Sequence, residues 1–197
     1  MQPKLHLASR SPRRSELLRQ IGVVHNIIEA DVDETPLTGE NPKEYVIRLA
    51  QEKALAGKAQ LRNPEDELVL AADTSVIVDD QILGKPKDRE EALNMLLLLS
   101  NRSHWVFSGV ALAGESIESR ISETLVSFRK ITRDEAVAYW KSGEPADKAG
   151  GYGIQGVGSI FISRIEGSFS GVMGLPLFET TQLLLKAGID PLTQTDK

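Results

Sequence analysis

A single aspartate interrupts the longest β-prone segment of the chain. Asp73 separates the apolar residues 68–72 from the apolar residues 76–78, and no turn-forming residue accompanies it. Aspartate is depleted in strands, and an unpaired buried carboxylate has a high free-energy cost. A carboxylate in such a position is usually paired with a cation, bound to a metal or catalytic. We therefore interpret Asp73 as a functional residue, with an aspartate that caps a turn at a strand end as the alternative.

Two arginines stand in the first turn of a predicted helix. Ser11 is placed as the N-cap and Pro12 as the first helical residue, so Arg13 and Arg14 follow directly. Cations have the wrong sign for the positive end of a helix dipole unless an anion binds beside them. A helix N-terminus with two guanidinium groups and a serine is typical of a phosphate site. A pair of solvated arginines is the alternative.

A lysine lies on the apolar face of the second predicted helix, which covers residues 42–58. Helical spacing places Lys53 at the centre of the face formed by Val46, Leu49 and Ala50. Its ammonium group must then either extend along the surface to water or meet a negative partner, which could be a protein carboxylate or a ligand phosphate. Because extension to water is the commoner outcome, the sequence alone slightly favours it.

Two weaker signals accompany these residues. Asp31, Asp33 and Glu34 place three carboxylates together, and magnesium sites commonly combine one or two carboxylates with substrate phosphates. A solvated acidic loop is nevertheless the commoner explanation of such a cluster. Lys85 stands in a constrained Gly-Lys-Pro turn, which is mild evidence for a functional cation.

A glycine-rich segment follows in the last third of the chain. Five of the nine residues at 150–158 are glycine, which lets the backbone approach a ligand closely. The segment matches neither the P-loop pattern nor the dinucleotide-binding fingerprint. A loop that recognises a base and a turn at a sheet edge both fit it. Gln155 could hydrogen-bond to a base edge through its amide, and Tyr152 could stack on a base or pack in the core.

The elements that must position these residues alternate between strands and helices. Strands are predicted at residues 5–8, 68–78, 81–83, 106–113, 117–128 and 160–162, and helices at residues 12–21, 42–58, 88–100, 132–141 and 176–187. Several neighbouring strands are joined by tight turns, as at 79–80 and 114–115. The sequence therefore predicts an α/β fold with a mixed sheet, in a single domain over residues 1–197.

Composition limits the classes of function. With 41% hydrophobic and 26% charged residues, the chain is typical of a soluble protein, and no apolar run approaches the length of a membrane span. The net charge of −5 disfavours duplex nucleic acid as a partner. The absence of cysteine excludes disulfides and thiolate metal sites. His6, His25 and His104 lack metal-ligand spacing, so we expect them to be structural or surface residues. The N-terminus lacks a signal-peptide core, and we expect a cytoplasmic protein that binds no membrane.

Six sequence blocks resemble, in the same order, the signature blocks of the Maf family of nucleotide pyrophosphatases. They are LASRSPRR at 7–14, AQEKA at 50–54, ADT at 72–74, GKP at 84–86, KAGGYGIQG at 148–156 and GLPL at 174–177. Together they cover nearly the whole chain and are highly specific, although any one alone is weak evidence.

The resemblance implies a fold, an activity and a cofactor. The fold is inosine-triphosphatase-like, a long curved mixed sheet flanked by helices with two lobes around a cleft. The activity is that of a hydrolase acting on acid anhydrides, which cleaves the α–β phosphoanhydride of a nucleoside triphosphate and releases pyrophosphate. The cofactor is a divalent cation such as Mg²⁺, Mn²⁺ or Co²⁺. A homodimer is also expected from the resemblance.

The resemblance also implies roles for individual residues. Asp73 matches the general base and could instead hold the metal, while Glu34 matches a polar partner in the site or a second metal ligand. The positions that match phosphate-binding residues are Ser9, Arg13, Arg14, Lys53 and Lys85.

Three positions resemble the subgroup that acts on dTTP and UTP. They are Arg13, Thr74 and Gln155, where the subgroup acting on 7-methyl-GTP tends to have tryptophan, glutamine and glutamate. One alternative is the same chemistry on 7-methyl-GTP or another non-canonical purine nucleotide. A second alternative is a nucleotide-binding regulator of septum formation that acts without turnover.

Overall fold

The chain folds around one mixed β-sheet in the computed structural model, which describes residues 3–193. Its strands are β1 (Lys4–Ala8), β2 (Asn26–Ile28), β3 (Glu67–Val78), β4 (Gln81–Leu83), β5 (Ser103–Ala113), β6 (Ile117–Phe128) and β7 (Ile162–Glu166). Their order across the sheet is β2-β1-β3-β5-β6-β7, with β4 paired to β3. β1 runs parallel to both β2 and β3, whereas the other pairs are antiparallel. The mixed α/β sheet predicted from the sequence is therefore confirmed.

Helices cover the two faces of this sheet. They are α1 (Pro12–Gln20), α2 (Pro42–Lys58), α3 (Arg89–Leu99), α4 (Arg133–Trp140), α5 (Phe169–Met173) and α6 (Leu177–Lys186). Within residues 3–193, none of the helices is both long enough and apolar enough to cross a membrane.

Local sequence signals set several helix ends. The Asn41 side chain accepts hydrogen bonds from the backbone N–H groups of Lys43 and Glu44, and the Glu44 carboxylate accepts one from the Asn41 N–H. Thr132 and Glu135 form the same reciprocal pair at the start of α4. Such caps satisfy N–H groups that have no partner inside the helix, so each helix begins at its cap. The predicted starts of α2 and α4 are therefore confirmed.

β3 is buried on both faces. Val69 and Ala71 pack in a cluster with residues of α2, whereas Leu70 and Ala72 pack in another with residues of α1 and α6. Successive side chains of a strand point to opposite faces of the sheet. Asp73 therefore projects towards α2, and the next side chain projects towards the opposite layer.

One edge of β3 is open over a short stretch. β1 pairs with residues 67–70 of β3, and β4 pairs with residues 76–78. On the other edge, β5 pairs continuously with residues 69–77. Among the residues that the structure describes, the stretch 71–75 thus has a strand partner on one edge only. We call this the open stretch of β3, and the carboxyl end of β1, from which the chain leads into α1, lies beside it.

Some predicted elements are wrong or incomplete. The strand predicted at 160–162 begins only at Ile162, because residues Val157–Phe161 form a 3₁₀ helix. Of this apolar run, Phe161 is buried against the ring of Tyr139, whereas Ile160 is exposed. The short elements β2 and α5 were not predicted, since three- and five-residue segments carry almost no periodic signal.

Gly109 of β5 lies directly against α2. A Cβ atom at this position would lie 2.3 Å from the carbonyl oxygen of Val46. Gly109→Ala must displace the helix from the sheet, and we expect the free energy of unfolding to fall by about 1–3 kcal/mol in urea or thermal denaturation. Gly84→Ala is the matched control, because nothing lies within 4 Å of a Cβ atom there. Equal losses in the two variants would contradict the prediction.

Candidate active site

A cleft of about 820 Å³ opens at the open stretch of β3. Residues from distant parts of the sequence line it, because the carboxyl end of β1, the start of α1, the middle of α2 and the glycine-rich segment all meet there. The nine residues to which the resemblance assigns a role in the site all line it: Ser9, Arg13, Arg14, Glu34, Lys53, Asp73, Thr74, Lys85 and Gln155.

A lysine ammonium group joins two carboxylates at the centre of the cleft. Lys53 Nζ lies 2.7 Å from Asp73 Oδ1 and 2.6 Å from Glu34 Oε1. Lys53 and Asp73 are 9% and 7% exposed, so this pair is largely removed from water. The slight preference for a Lys53 ammonium extended to water is therefore wrong. Position 53 lies on the buried face of α2, opposite a carboxylate that offsets the cost of desolvation.

The surrounding cations also act on Glu34. Partial burial raises the pKa of its carboxyl group, but the hydrogen bond from Lys53 and the charges of Lys53, Lys85 and Arg14 outweigh this effect. The pKa of Glu34 is therefore below its ordinary value. Because the pKa is lower in the folded chain than in the unfolded one, this contact stabilises the fold above the ordinary glutamate pKa and is lost as the pH falls through the folded value.

The loop after β1 is held by an arginine of α1. Arg14 Nε donates a hydrogen bond to the carbonyl oxygen of Gly174 at 2.7 Å, and another Arg14 nitrogen donates to Ser9 Oγ at 3.3 Å. Ser9 Oγ also accepts from the backbone N–H of Ser11 at 3.1 Å. Burial lowers the pKa of the Arg14 guanidinium, although this group stays charged at neutral pH.

The N-terminus of α1 lines the cleft with Ser11, Pro12, Arg13 and Arg14. Ser11 is the N-cap as predicted, but its side chain forms no capping hydrogen bond in the described chain. Arg13 reaches across the cleft to Asp147 at 3.4 Å, and Lys148 lies 2.7 Å from the same carboxylate. Lys148 was not singled out from the sequence, and its place at the start of the glycine-rich segment was the only available signal.

Lys85 lies on the other side of the open stretch, two residues after β4 ends. Within residues 3–193, no carboxylate comes within ion-pair distance of Lys85, although its charge helps to lower the pKa of Glu34. A cation that lines a cleft without a protein partner is well placed to receive an anionic ligand.

The acidic cluster predicted near residue 31 separates in the structure. Asp31 forms an ion pair with Arg10, and Asp33 accepts a hydrogen bond from the backbone N–H of Thr35. Only Glu34 reaches Lys53. No group of three or more His, Cys, Asp or Glu side chains in the described part of the chain could hold a metal ion. Glu34 and Asp73 are the two carboxylates of the cleft that contact Lys53.

A chain of hydroxyl groups fixes Thr74. Ser108 Oγ donates to the carbonyl oxygen of Gly171 at 2.7 Å and lies 2.8 Å from Thr74 Oγ1. Since Ser108 has a single hydroxyl proton, Thr74 is the donor in the second bond. The Thr74 hydroxyl, which lines the cleft, has therefore used its proton and can act towards a ligand only as an acceptor.

Tyr152 packs in the core, which decides between the two alternatives for this residue. It is only 5% exposed, and its hydroxyl lies 2.7 Å from His104 Nε2. The rings of His104 and Phe128 meet it edge-on. The structural roles predicted for the histidines also agree with the structure, since His6 contacts Glu67 and His25 contacts a serine of α1.

The family model and the similar proteins point to the same family. The sequence model of the family described as Maf-like protein matches residues 4–187. The dTTP/UTP pyrophosphatase of Saccharophagus degradans is 50% identical over 182 residues, or 91% of this chain and 87% of that protein. The dTTP/UTP pyrophosphatase of Methylobacillus flagellatus is 51% identical over 94% of each chain. Among solved structures, a dITP/XTP pyrophosphatase from Mycobacterium abscessus is 17% identical, with a TM-score of 0.42 over 94% of this chain and 95% of that one.

Removal of the Lys53 ammonium group should be visible at Glu34. We expect Lys53→Met to raise the pKa of Glu34 towards its ordinary value, because the largest interactions that lower it are lost. NMR titration of the glutamate carboxyl carbons measures this shift. Glu40 is an internal control, since its pKa is lowered by hydrogen bonds from Arg48 and is independent of Lys53. An unchanged Glu34, or an equal shift of Glu40, would count against the described contact.

Proposed function

Since the chain belongs to the family of Maf-like proteins, we propose that it hydrolyses dTTP and UTP to the nucleoside monophosphate and pyrophosphate. Relatives at about 50% identity over most of the chain carry that activity in their names. The observation that carries the proposal within this chain is the Lys53 ammonium group held between Glu34 and Asp73 in a cleft with further cations. A buried carboxylate beside convergent cations suits the hydrolysis of a polyanion.

The phosphates occupy the cationic part of the cleft in this proposal. A triphosphate needs its charge neutralised at several oxygens, and the helix N-terminus of α1 adds N–H groups to the side chains. The phosphate-binding residues are Ser9, Arg13, Arg14, Lys53 and Lys85. Arg14 and Ser9 already hold each other, so they form a preorganised part of the site. Lys85 has no ion-pair partner among the described residues, so it can turn to the phosphates without breaking a protein contact.

Asp73 acts as the general base. It accepts a proton from a water molecule as the water oxygen bonds to phosphorus and the bond between that phosphorus and the bridging α–β oxygen breaks. The products are the nucleoside monophosphate and pyrophosphate. Negative charge grows on the leaving pyrophosphate, where the nearby arginines and lysines stabilise it. Lys53 keeps the Asp73 carboxylate oriented through its 2.7 Å contact.

A divalent cation completes the proposal. Glu34 would hold Mg²⁺, Mn²⁺ or Co²⁺ together with substrate phosphates, and Asp73 would be a second ligand as the alternative to its role as the base, since one or two carboxylates with phosphate oxygens suit such an ion. Lys53 contacts one oxygen of each carboxylate, and both side chains line the cleft, so the donor set fits this ion. When bound, the ion would neutralise negative charge on the phosphate oxygens.

The pyrimidine base lies at the other end of the cleft. Gln155 is exposed in the glycine-rich segment, and its amide offers one donor and one acceptor, which match the N3–H and O4 edge of uracil or thymine. Arg13 and the lone pairs of Thr74 complete the specificity set. We place the enzyme in the cytoplasm, where UTP is made and used.

The first test concerns Asp73 as the general base. We expect purified wild-type protein to release pyrophosphate from UTP and dTTP, and Asp73→Asn to lower kcat by roughly 10²–10⁴-fold. Asp80→Asn is the matched control, because Asp80 lies in the β3–β4 turn outside the cleft and asparagine tolerates its left-handed backbone, with a φ of 61°. Full turnover by a folded Asp73→Asn protein would refute the role of Asp73.

The second test concerns recognition of the pyrimidine by Gln155. Gln155→Glu replaces the amide donor by a carboxylate oxygen, which repels the O4 atom of the pyrimidine. We expect the ratio of kcat/KM for UTP to that for GTP to fall by roughly tenfold or more. A panel that includes 7-methyl-GTP and inosine triphosphate measures the ranking. An unchanged ranking would exclude base recognition by Gln155, and preference of the wild-type protein for a purine would exclude the pyrimidine assignment.

A further inference from the structure

The Glu144 carboxylate accepts hydrogen bonds from the backbone of the glycine-rich segment. Its Oε2 accepts a hydrogen bond from the backbone N–H of Val157 at 2.8 Å, and its Oε1 accepts one from the N–H of Gly158 at 3.2 Å. Tyr139 of α4 donates its hydroxyl proton to the same Oε1 at 2.8 Å. That hydroxyl oxygen also accepts from the N–H of Gly153 at 3.0 Å. Two side chains therefore hold backbone on both sides of Gln155.

The glycines of the segment are explained by this contact. A Cβ atom at Gly156 would lie 2.3 Å from Glu144 Oε2, and one at Gly153 would lie 2.6 Å from Glu144 Oε1. A Cβ atom at Gly158 would lie 2.5 Å from the Tyr139 hydroxyl oxygen. Their missing side chains leave room for the carboxylate and the phenol. These three glycines thus serve a protein contact within the loop.

The same residue connects the base side of the cleft to the phosphate side. Lys148 donates to the backbone carbonyl oxygen of Glu144 at 2.8 Å and to Asp147 at 2.7 Å. Asp147 in turn pairs with Arg13 at the start of α1. A displacement of Glu144 would therefore move the loop that carries Gln155 relative to the arginines.

We propose that Glu144, which accepts a hydrogen bond from Tyr139, is a positioning residue. It fixes the position of the Gln155 amide for recognition of the pyrimidine base. The inference rests on the proposed function, which supplies the base and the phosphates. Glu144 lines the cleft, but both of its carboxylate oxygens already accept hydrogen bonds, from the N–H groups of Val157 and Gly158 and from the Tyr139 hydroxyl, so its role is assigned to the loop backbone.

The test compares isosteric variants. In Glu144→Gln, one carboxylate oxygen becomes an NH₂ group, so in either orientation a donor faces a backbone N–H. We expect KM for UTP to rise by roughly tenfold, the UTP-to-GTP ratio of kcat/KM to fall similarly, and kcat to change by less than about threefold. Tyr139→Phe should act in the same direction, and it is informative because Tyr139 is only 3% exposed and cannot itself contact substrate.

A double-mutant cycle separates positioning from general stabilisation. If Glu144 acts through Gln155, Glu144→Gln should change KM by less than about twofold in a Gln155→Ala background. Glu67→Gln is the matched control, since that carboxylate contacts Lys4 and His6 at the amino end of β3, outside the cleft. It should lower Tm without a change in selectivity. Additive effects of Glu144→Gln and Gln155→Ala, or an unchanged KM in Tyr139→Phe, would overturn the proposal.

Absence of UTP and dTTP turnover in the wild-type protein would refute the proposed function separately. Hydrogen exchange of the Val157 and Gly158 amides, followed by NMR without nucleotide, still tests the loop contact. We expect exchange at least roughly tenfold faster in Glu144→Gln than in wild type, because both amides lose or weaken their acceptor. Unchanged exchange would refute the role of Glu144 regardless of substrate.

Discussion

The contact of one buried ammonium group with two carboxylates determines how the cleft is organised. Removing one partner of a buried ion pair leaves an uncompensated charge and typically costs about 3–5 kcal/mol, whereas apolar residues in place of the whole set are often equally stable. The group formed by Lys53, Glu34 and Asp73 is therefore poorly explained by stability alone. It requires α2, the loop before it and β3 to keep a fixed spacing, which Gly109 permits by letting α2 approach the sheet closely.

The distribution of charge in the cleft differs from that of the chain. The sequence has a net charge of −5, yet six cationic and five acidic side chains line the cleft. Several of the acidic groups are already paired, as Asp31 is with Arg10 and Asp147 is with Lys148. An acidic protein can thus bind a polyanion because folding concentrates cations locally, while the net charge of the chain says little about its ligand.

Elements with local signals could be predicted from the sequence, and long-range contacts could not. The capping box at Asn41 and the turn at Asp79 and Asp80 depend on residues a few positions apart, so their boundaries are correct within about two residues. Position 53 was recognised as unusual, but its partners are 19 and 20 residues away on other elements, which periodicity does not reveal. The resemblance to the family's motifs, and not periodicity, identified the residues of the candidate site as one set. It gave no reason for the glycine spacing, which depends on the Glu144 carboxylate.

The open stretch of β3 has a consequence for self-association. A strand edge with unsatisfied backbone groups invites pairing with a second chain, which is a common start of aggregation. Among the described residues of β3, the unpaired edge is limited to residues 71–75, between β1 and β4, and the charged side chains of Lys53 and Asp73 line the cleft there. An incoming strand would have to fit a gap five residues long and desolvate those charges. At β3, the gap that admits a small ligand is therefore also a barrier to pairing with a strand of a second chain.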